Sequence, residues 1–203
     1  MRFVLLFIVA ALSQLIDADP YFDHELIYVA NYFDTSTHKM VKNDTIYLLI
    51  SGNKNRFAVT DKNYTYFDIT DFDKKMKFDL RTDRDTNYYY QFPDISLNLT
   101  GYVKQPEIIR TEGYSCNKII QSVGSNRIMA EFYLSSNPKL RIASHSFIGT
   151  GGKIISKFFG LPVLINEYSA VNNTIFRTVK LHKIKQVDKK ILLSKFGIMI
   201  NWS

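Results

Sequence analysis

The sequence predicts a mainly β protein: a strongly curved antiparallel sheet, or open half-barrel, with one or two short helices. Three observations predict it. Tyr and Phe are numerous, 13 and 15 in 203 residues, and aromatics at this density favour strands. Apolar residues recur with a period of two in short runs, separated by Gly, Asn, Asp and Ser at hairpin spacing. Apolar content of 46% argues for a packed core, while no heptad run or internal repeat is present.

The elements follow in chain order. Arg2 precedes an apolar run, Phe3 to Leu12, and the more polar Ser13 to Ala18 ends in a small residue. This is the layout of a secretory signal peptide, and the run is shorter than the roughly 20 residues of a membrane span. Residues 1–18 are therefore assigned to a signal peptide and 19–203 to a single curved-sheet domain. In 21–33, Phe22, Leu26, Tyr28, Ala30 and Tyr32 share one side of a two-residue period. Ile27 and Val29 make the other side partly apolar, which predicts a first strand covered in part on both faces. Asp34 to His38 reads as a turn. Thr45–Ile50, Arg56–Val59 and Tyr64–Ile69 read as the next strands, joined through Ser51–Asn55 and Asp61–Asn63.

From Asp71 to Asp85, ten of fifteen residues are charged, with equal numbers of each sign. Met76, Phe78 and Leu80 alternate with Lys77 and Asp79. That fits an edge strand whose charges discourage pairing, with a disordered loop as the rival. Asn87–Phe92 is a strand ended by Pro93, and Pro106–Gly113 reads as a bend. Asn117–Val123 and Arg127–Leu134 form a hairpin across Gly124–Asn126. Gly149–Gly152 leads into a short helix over 152–158. Leu161–Tyr168 and Ile175–Lys185 form a second hairpin. Asp188–Ser194 reads as one helical turn before a last extended piece, Phe196–Ile200.

Little in the sequence points to chemistry. One cysteine excludes an intrachain disulfide, and Cys116 is expected to be a small buried hydrophobe. The four histidines are remote from one another in sequence, without HExxH or CxxC spacing, so no metal ligands are assigned. There is no GxSxG elbow, and Gly149-Thr-Gly-Gly152 lacks the spacing of a phosphate loop. We expect no enzyme, no catalytic residue and no cofactor. The formal net charge is +7. Between Arg177 and Lys195 lie seven bases against Asp188, nearly the whole excess. Lys183, Lys185, Lys189 and Lys190 are the basic-surface residues of this strip. They can meet anionic headgroups, or form an ordinary solvated strand face. Nucleic acid is not expected as a partner. Asn-x-Ser/Thr occurs at Asn43, Asn63, Asn98, Asn172 and Asn201 and matters only in a eukaryotic secretory route.

Three landmarks then stand in order: Glu112-Gly-Tyr-Ser-Cys-Asn-Lys118, Ala130-Glu-Phe-Tyr133, and Gly160-Leu-Pro-Val-Leu-Ile165. This series resembles the GLPGLI family of exported bacterial proteins, over 112–167 best and over 20–200 loosely. It departs from that pattern at Val163, where the motif has glycine, and at Phe132, where tryptophan is usual. The resemblance implies a distant relation to half-barrel envelope proteins that carry lipoproteins. It therefore also implies an open antiparallel sheet with helices against its concave side. It transfers no catalytic residue.

Two functions compete. The first is a non-enzymatic envelope protein, exported to a bacterial periplasm or the extracellular space, that binds a lipid or other apolar ligand in the concave face. Tyr88, Tyr90 and Phe132 are its expected cavity residues. The second is an adaptor that binds an exported protein partner through a sheet edge and needs no cavity.

Overall fold

The computed structural model describes residues 19–51, 56–71, 75–83, 87–91, 101–123, 127–136 and 160–196. Within them lie eleven strands. They are β1 (Tyr21–Phe33), β2 (Met40–Ile50), β3 (Arg56–Thr60), β4 (Tyr66–Asp71), β5 (Met76–Arg81) and β6 (Tyr88–Gln91), then β7 (Tyr102–Thr111), β8 (Tyr114–Val123), β9 (Arg127–Ser135), β10 (Leu161–Tyr168) and β11 (Ile175–Lys190). A single 3₁₀ turn covers Leu193–Phe196. All strands join one antiparallel sheet in the order β6-β5-β4-β3-β2-β1-β11-β10-β9-β8-β7. The protein is mainly β, and the sheet is open: among the described residues, β6 and β7 are its two edges.

The apolar pattern of β1 explains its place. Leu26, Tyr28 and Ala30 are buried, and so are Glu25 and Ile27 on the alternate positions. A strand covered on both faces belongs in the middle of a sheet, and β1 lies there, between β2 and β11.

Several expectations need correction. β5 is not an edge strand, because β6 pairs with it from Met76↔Gln91 to Asp79↔Tyr88. Its charges stand on the alternate positions of a half-buried strand. Pro106–Gly113 is not a bend: β7 runs through Thr111, and a register shift between Lys104 and Ile108 accommodates the proline. The chain turns at Glu112–Gly113 instead, both at positive φ (52° and 81°), the geometry of a two-residue hairpin loop. β2 begins five residues earlier than predicted. Its first half is exposed, so pairing with β1 rather than burial extends it. β11 continues to Lys190, and the helical turn falls at Leu193–Phe196. Residues 1–18, 52–55, 149–159 and 197–200 lie outside the described residues, and with them the signal segment, the 152–158 helix and most of the last extended piece.

The core is double. One cluster gathers Leu26, Tyr28, Ala30, Leu48, Ile50 and Phe57 with Ile119, Phe132, Leu134, Ile165, Val179 and Leu181 from β8–β11. The other holds Phe22, Leu49, Ala58, Phe67, Ile69, Met76, Phe78 and Leu80 under Ile191 and Leu193. Leu48 and Leu49, like Phe57 and Ala58, go to different clusters, because successive strand residues point to opposite faces. Apolar surface is thus buried on both faces of β2 and β3.

Long-range contacts record the curvature. Lys180 of β11 pairs with Glu112 of the β7–β8 turn at 2.7 Å, although β10 and β9 lie between those strands. Three strand spacings span about 14 Å in a flat sheet. Curvature and two long side chains close that distance. Gly160, the first residue of the Gly-Leu-Pro segment, marks where β10 is pressed on β9. A Cβ there would stand 2.9 Å from the Leu134 Cβ and 3.0 Å from the Ser135 carbonyl.

Candidate functional site

The sequence-predicted residues scatter. Phe132 is 4% exposed and sits in the first cluster, directly between Ile119 of β8 and Ile165 of β10. Tyr88 is 58% exposed on the edge strand β6, at the other side of the sheet from β9. Tyr90 pairs with Lys77 through its backbone, and its side chain lies outside the described part of the structure. The structure therefore does not bring Tyr88 and Phe132 together.

The register builds the first cluster in rows across the strands. Ile119, Phe132, Ile165, Val179 and Ala30 form one continuous apolar row from β8 to β1. The Tyr28 hydroxyl donates to the Pro162 carbonyl at 3.0 Å, satisfying the buried phenol. Burial drives this phenol's pKa far up, and the nearby phenol of Tyr114 adds to the shift.

One row further along, the surface turns polar: Ala130, Glu167, Arg177, Tyr32 and Lys42 follow one another in register. Arg177 donates to Glu167 at 3.1 Å, and its guanidinium stands 5.2 Å from the Tyr32 ring centre. The Lys42 ammonium stands 5.3 Å from the same ring centre. Burial raises the Glu167 carboxyl, and the pull of Arg177 offsets that only in part. This end row was missed in the sequence. A register shift between Glu167 and Tyr168 sets Glu167 opposite Arg177, and turn spacing in the sequence does not show that shift.

The opposite face of β8–β10 carries a second polar group. Glu131 accepts from Lys118 at 2.6 Å, from Tyr133 at 3.2 Å and from Asn166 at 3.4 Å. Burial pushes its carboxyl up, but hydrogen bonds from Lys118, Tyr168 and Asn166 outweigh that and hold it below the usual range. Cys116, on β8, is fully buried, and burial pushes its thiol up to about 11. A thiol so far from ionisation is a poor nucleophile.

Two lysines of the basic strip, Lys185 and Lys190, are paired with acids remote in sequence. Glu25, 3% exposed, accepts from Lys185 at 2.8 Å and from the Tyr64 hydroxyl at 2.5 Å. Burial, followed by the hydrogen bond to Glu25, pushes the Tyr64 phenol up to about 12. Lys189 stands 4.1 Å over the Tyr64 ring, and Lys190 lies 3.6 Å from Asp19. Lys183 is exposed and makes no ion pair among the described residues. The described residues hold no group of three His, Cys, Asp or Glu able to take a metal ion. Nor do they include a helix long and apolar enough to cross a membrane.

No family model matches the chain, and no curated protein matches it. The GLPGLI likeness thus rests on its motifs alone. Among solved structures, two crystal forms of PNGF-II align with TM-scores of 0.56 and 0.51 at 15% and 14% identity. Each alignment covers 87% of this chain and 30% of that one. What the chain shares with PNGF-II is the fold. It spans less than a third of PNGF-II's length. A LolA superfamily protein from Nitrosomonas europaea aligns over 92% of this chain and 96% of its own, at a TM-score of 0.36 and 11% identity. That score is too low to carry weight.

Proposed function

We propose that this chain is an exported, non-enzymatic protein that holds a lipid or other apolar group against the apolar face of its sheet. The observation that supports it is the first cluster. It is a continuous apolar surface across β1–β3 and β8–β11, on a sheet left open at both sides. A sheet's apolar face requires a covering layer. The one described helical turn goes to the other cluster, through Leu193 and Phe196. The side chains of the cluster are already buried without a guest, so an apolar guest would lodge by parting them, with the Glu167–Arg177–Tyr32 row marking where its polar end would lie. Binding of this kind needs no cofactor, and a bacterial periplasm or the extracellular space is the setting that fits it.

The adaptor reading stands second, favoured by one observation. Edge strand β7 exposes Val103 and Ile108, and an exposed edge can accept a partner strand. The same strand also carries Pro106, a register shift, and the charges of Lys104, Glu107 and Arg110. These are devices that keep edges from pairing. Native mass spectrometry of protein purified from its own envelope, with titration by a neutral apolar fluorescent probe, separates the two. A retained lipid or saturable probe uptake is expected. Protein that carries no lipid and takes up no probe would overturn the ligand reading in favour of the adaptor.

A further inference from the structure

We infer that the face of β4–β6 lying opposite the second apolar cluster binds the chains of a neutral polysaccharide. It is a different surface from the apolar face proposed above, and the inference does not depend on that reading.

The alternation of two strands builds this face. Phe67 and Ile69 of β4, with Phe78 and Leu80 of β5, are buried in the second cluster. Tyr66 and Asp68 of β4, with Lys77, Asp79 and Arg81 of β5, fall on the alternate positions and are half-buried. They therefore share the other face. The register sets them in rows: Tyr66 opposite Arg81, then Asp68 opposite Asp79, with Tyr88 of β6 opposite Asp79 in turn.

The middle row breaks a rule of sheet pairing. Like charges directly opposite each other destabilise a strand pair, yet two carboxylates stand there. The flanking bases answer them incompletely. Lys77 pairs with Asp68 at 3.0 Å, but Arg81 Nε stands 3.9 Å from Asp79 Oδ1, beyond hydrogen-bond range. Asp68 Oδ1 and Arg81 Nε have no hydrogen-bond partner among the described residues. Their side chains are 28% and 38% exposed, so a small rotation presents an acceptor and a donor to an incoming group. A local conflict without structural gain is what a binding site retains.

Charge and shape select the ligand. Two acids against two bases leave the rows without net charge, so they draw neither an anion nor a cation. They offer acceptors and donors side by side at the spacing of neighbouring strands, about 5 Å. Hydroxyl groups both donate and accept, and a sugar ring carries several of them around an apolar C–H face. Tyr88, 58% exposed beside Asp79, supplies the surface for that face, and an aromatic ring buries a large area on contact. The Tyr66 ring is already covered by the Arg81 guanidinium, 4.7 Å from its centre, which holds that donor in place. The rows lie on an open sheet rather than in an enclosed cavity, which suits successive rings of a polymer over a single sugar.

The test is a set of binding isotherms of the purified protein on immobilised dextran, glucomannan and xyloglucan, in about 0.15 M and about 1 M salt. Saturable binding to at least one of them is expected, with an affinity that salt leaves unchanged, because no net charge drives it. Tyr88→Ala should weaken it by about tenfold or more, the scale of one lost aromatic contact. Tyr89→Ala is the control. Tyr89 lies on the same strand and is 48% exposed, but it stacks on Phe78 of the second cluster, so its loss should leave binding unchanged. Asp68→Asn should weaken binding several-fold while the melting temperature stays level or rises, because the opposed charges are relieved. A lower melting temperature with unchanged affinity would make Asp68 structural and overturn the inference. Wild-type protein that binds none of the three polysaccharides also overturns it. So does binding that the higher salt abolishes, Tyr88→Ala that binds like wild type, or equal losses from Tyr88→Ala and Tyr89→Ala. Neutral-probe uptake is read in parallel on every variant and should not change. Probe uptake without polysaccharide binding removes only this inference, and the converse removes only the ligand proposal.

Discussion

The two apolar clusters share β2 and β3 and differ in what lies over them. Cluster two, over β3–β5, packs in the ordinary way: a sheet face on one side, and Ile191, Leu193 and Phe196 of the chain's last described segment on the other. Cluster one, across β1 and β8–β11, is assembled almost wholly from strand side chains of a curved sheet. The polar neighbours differ too. At the start of β3, Arg56 and the β4 residue Asp71 form a sealed ion pair, each side chain 3% exposed. Behind cluster one, Glu131 keeps several weaker donors. Both clusters are buried; what sets cluster one apart is the half-buried polar row at its end, which would suit the polar end of a guest.

The largest effect should come from breaking the seal. Arg56 donates to Asp71 from Nε at 2.7 Å and from Nη2 to the same oxygen. Arg56→Met leaves the Asp71 carboxylate buried without its main partner and should cost about 3–5 kcal/mol in a urea melt. Apolar-probe uptake by the fraction still folded should be unchanged. A loss under 1 kcal/mol would mean that water reaches the pair and that cluster two is no more closed than cluster one.

Neighbouring leucines sharpen the contrast. Leu48→Ala and Leu49→Ala remove equal volume from opposite faces of one strand, and each should cost about 2–5 kcal/mol. Only Leu48→Ala should alter probe affinity. Equal changes in probe affinity from both would place the probe elsewhere.

The smallest effect is acid sensitivity. The Glu131 carboxyl is held below its ordinary 4.5, so the stability it contributes is complete above that value. It disappears as pH falls through the folded-state value. Glu131→Gln should therefore flatten the stability profile below about pH 4.5 and leave the profile at neutral pH with the same slope. An unchanged acid limb in the variant would show that Glu131 does not contribute to acid unfolding.

The residues that announced their structure were those whose burial alternates. β1 matched its predicted span because both faces are apolar, and the hairpins on either side of Gly124–Asn126 and Ala170–Thr174 carried their own turn signals. β7 was missed because its side chains are largely exposed and it contains Pro106; only its neighbour β8 makes it a strand. The excess charge of β11 was plain in the sequence. The partner of Lys185 was not, because Glu25 and Lys185 meet through a pairing of segments 160 residues apart. Local pattern specifies a strand, but partner choice is a property of the whole sheet.

That pairing also sets an order of events. Among the described residues β1 is the first strand and β11 the last, yet they lie side by side in the middle of the sheet. As the chain is made, β1 to β6 emerge as a meander whose central strand lacks one neighbour until β11 arrives. Loop-closure entropy must then be met before the seam forms, and such non-local pairing is slow. The middle of this protein is the last part to be finished, so a truncation that removes only β11 would divide the sheet at its centre rather than trim its rim.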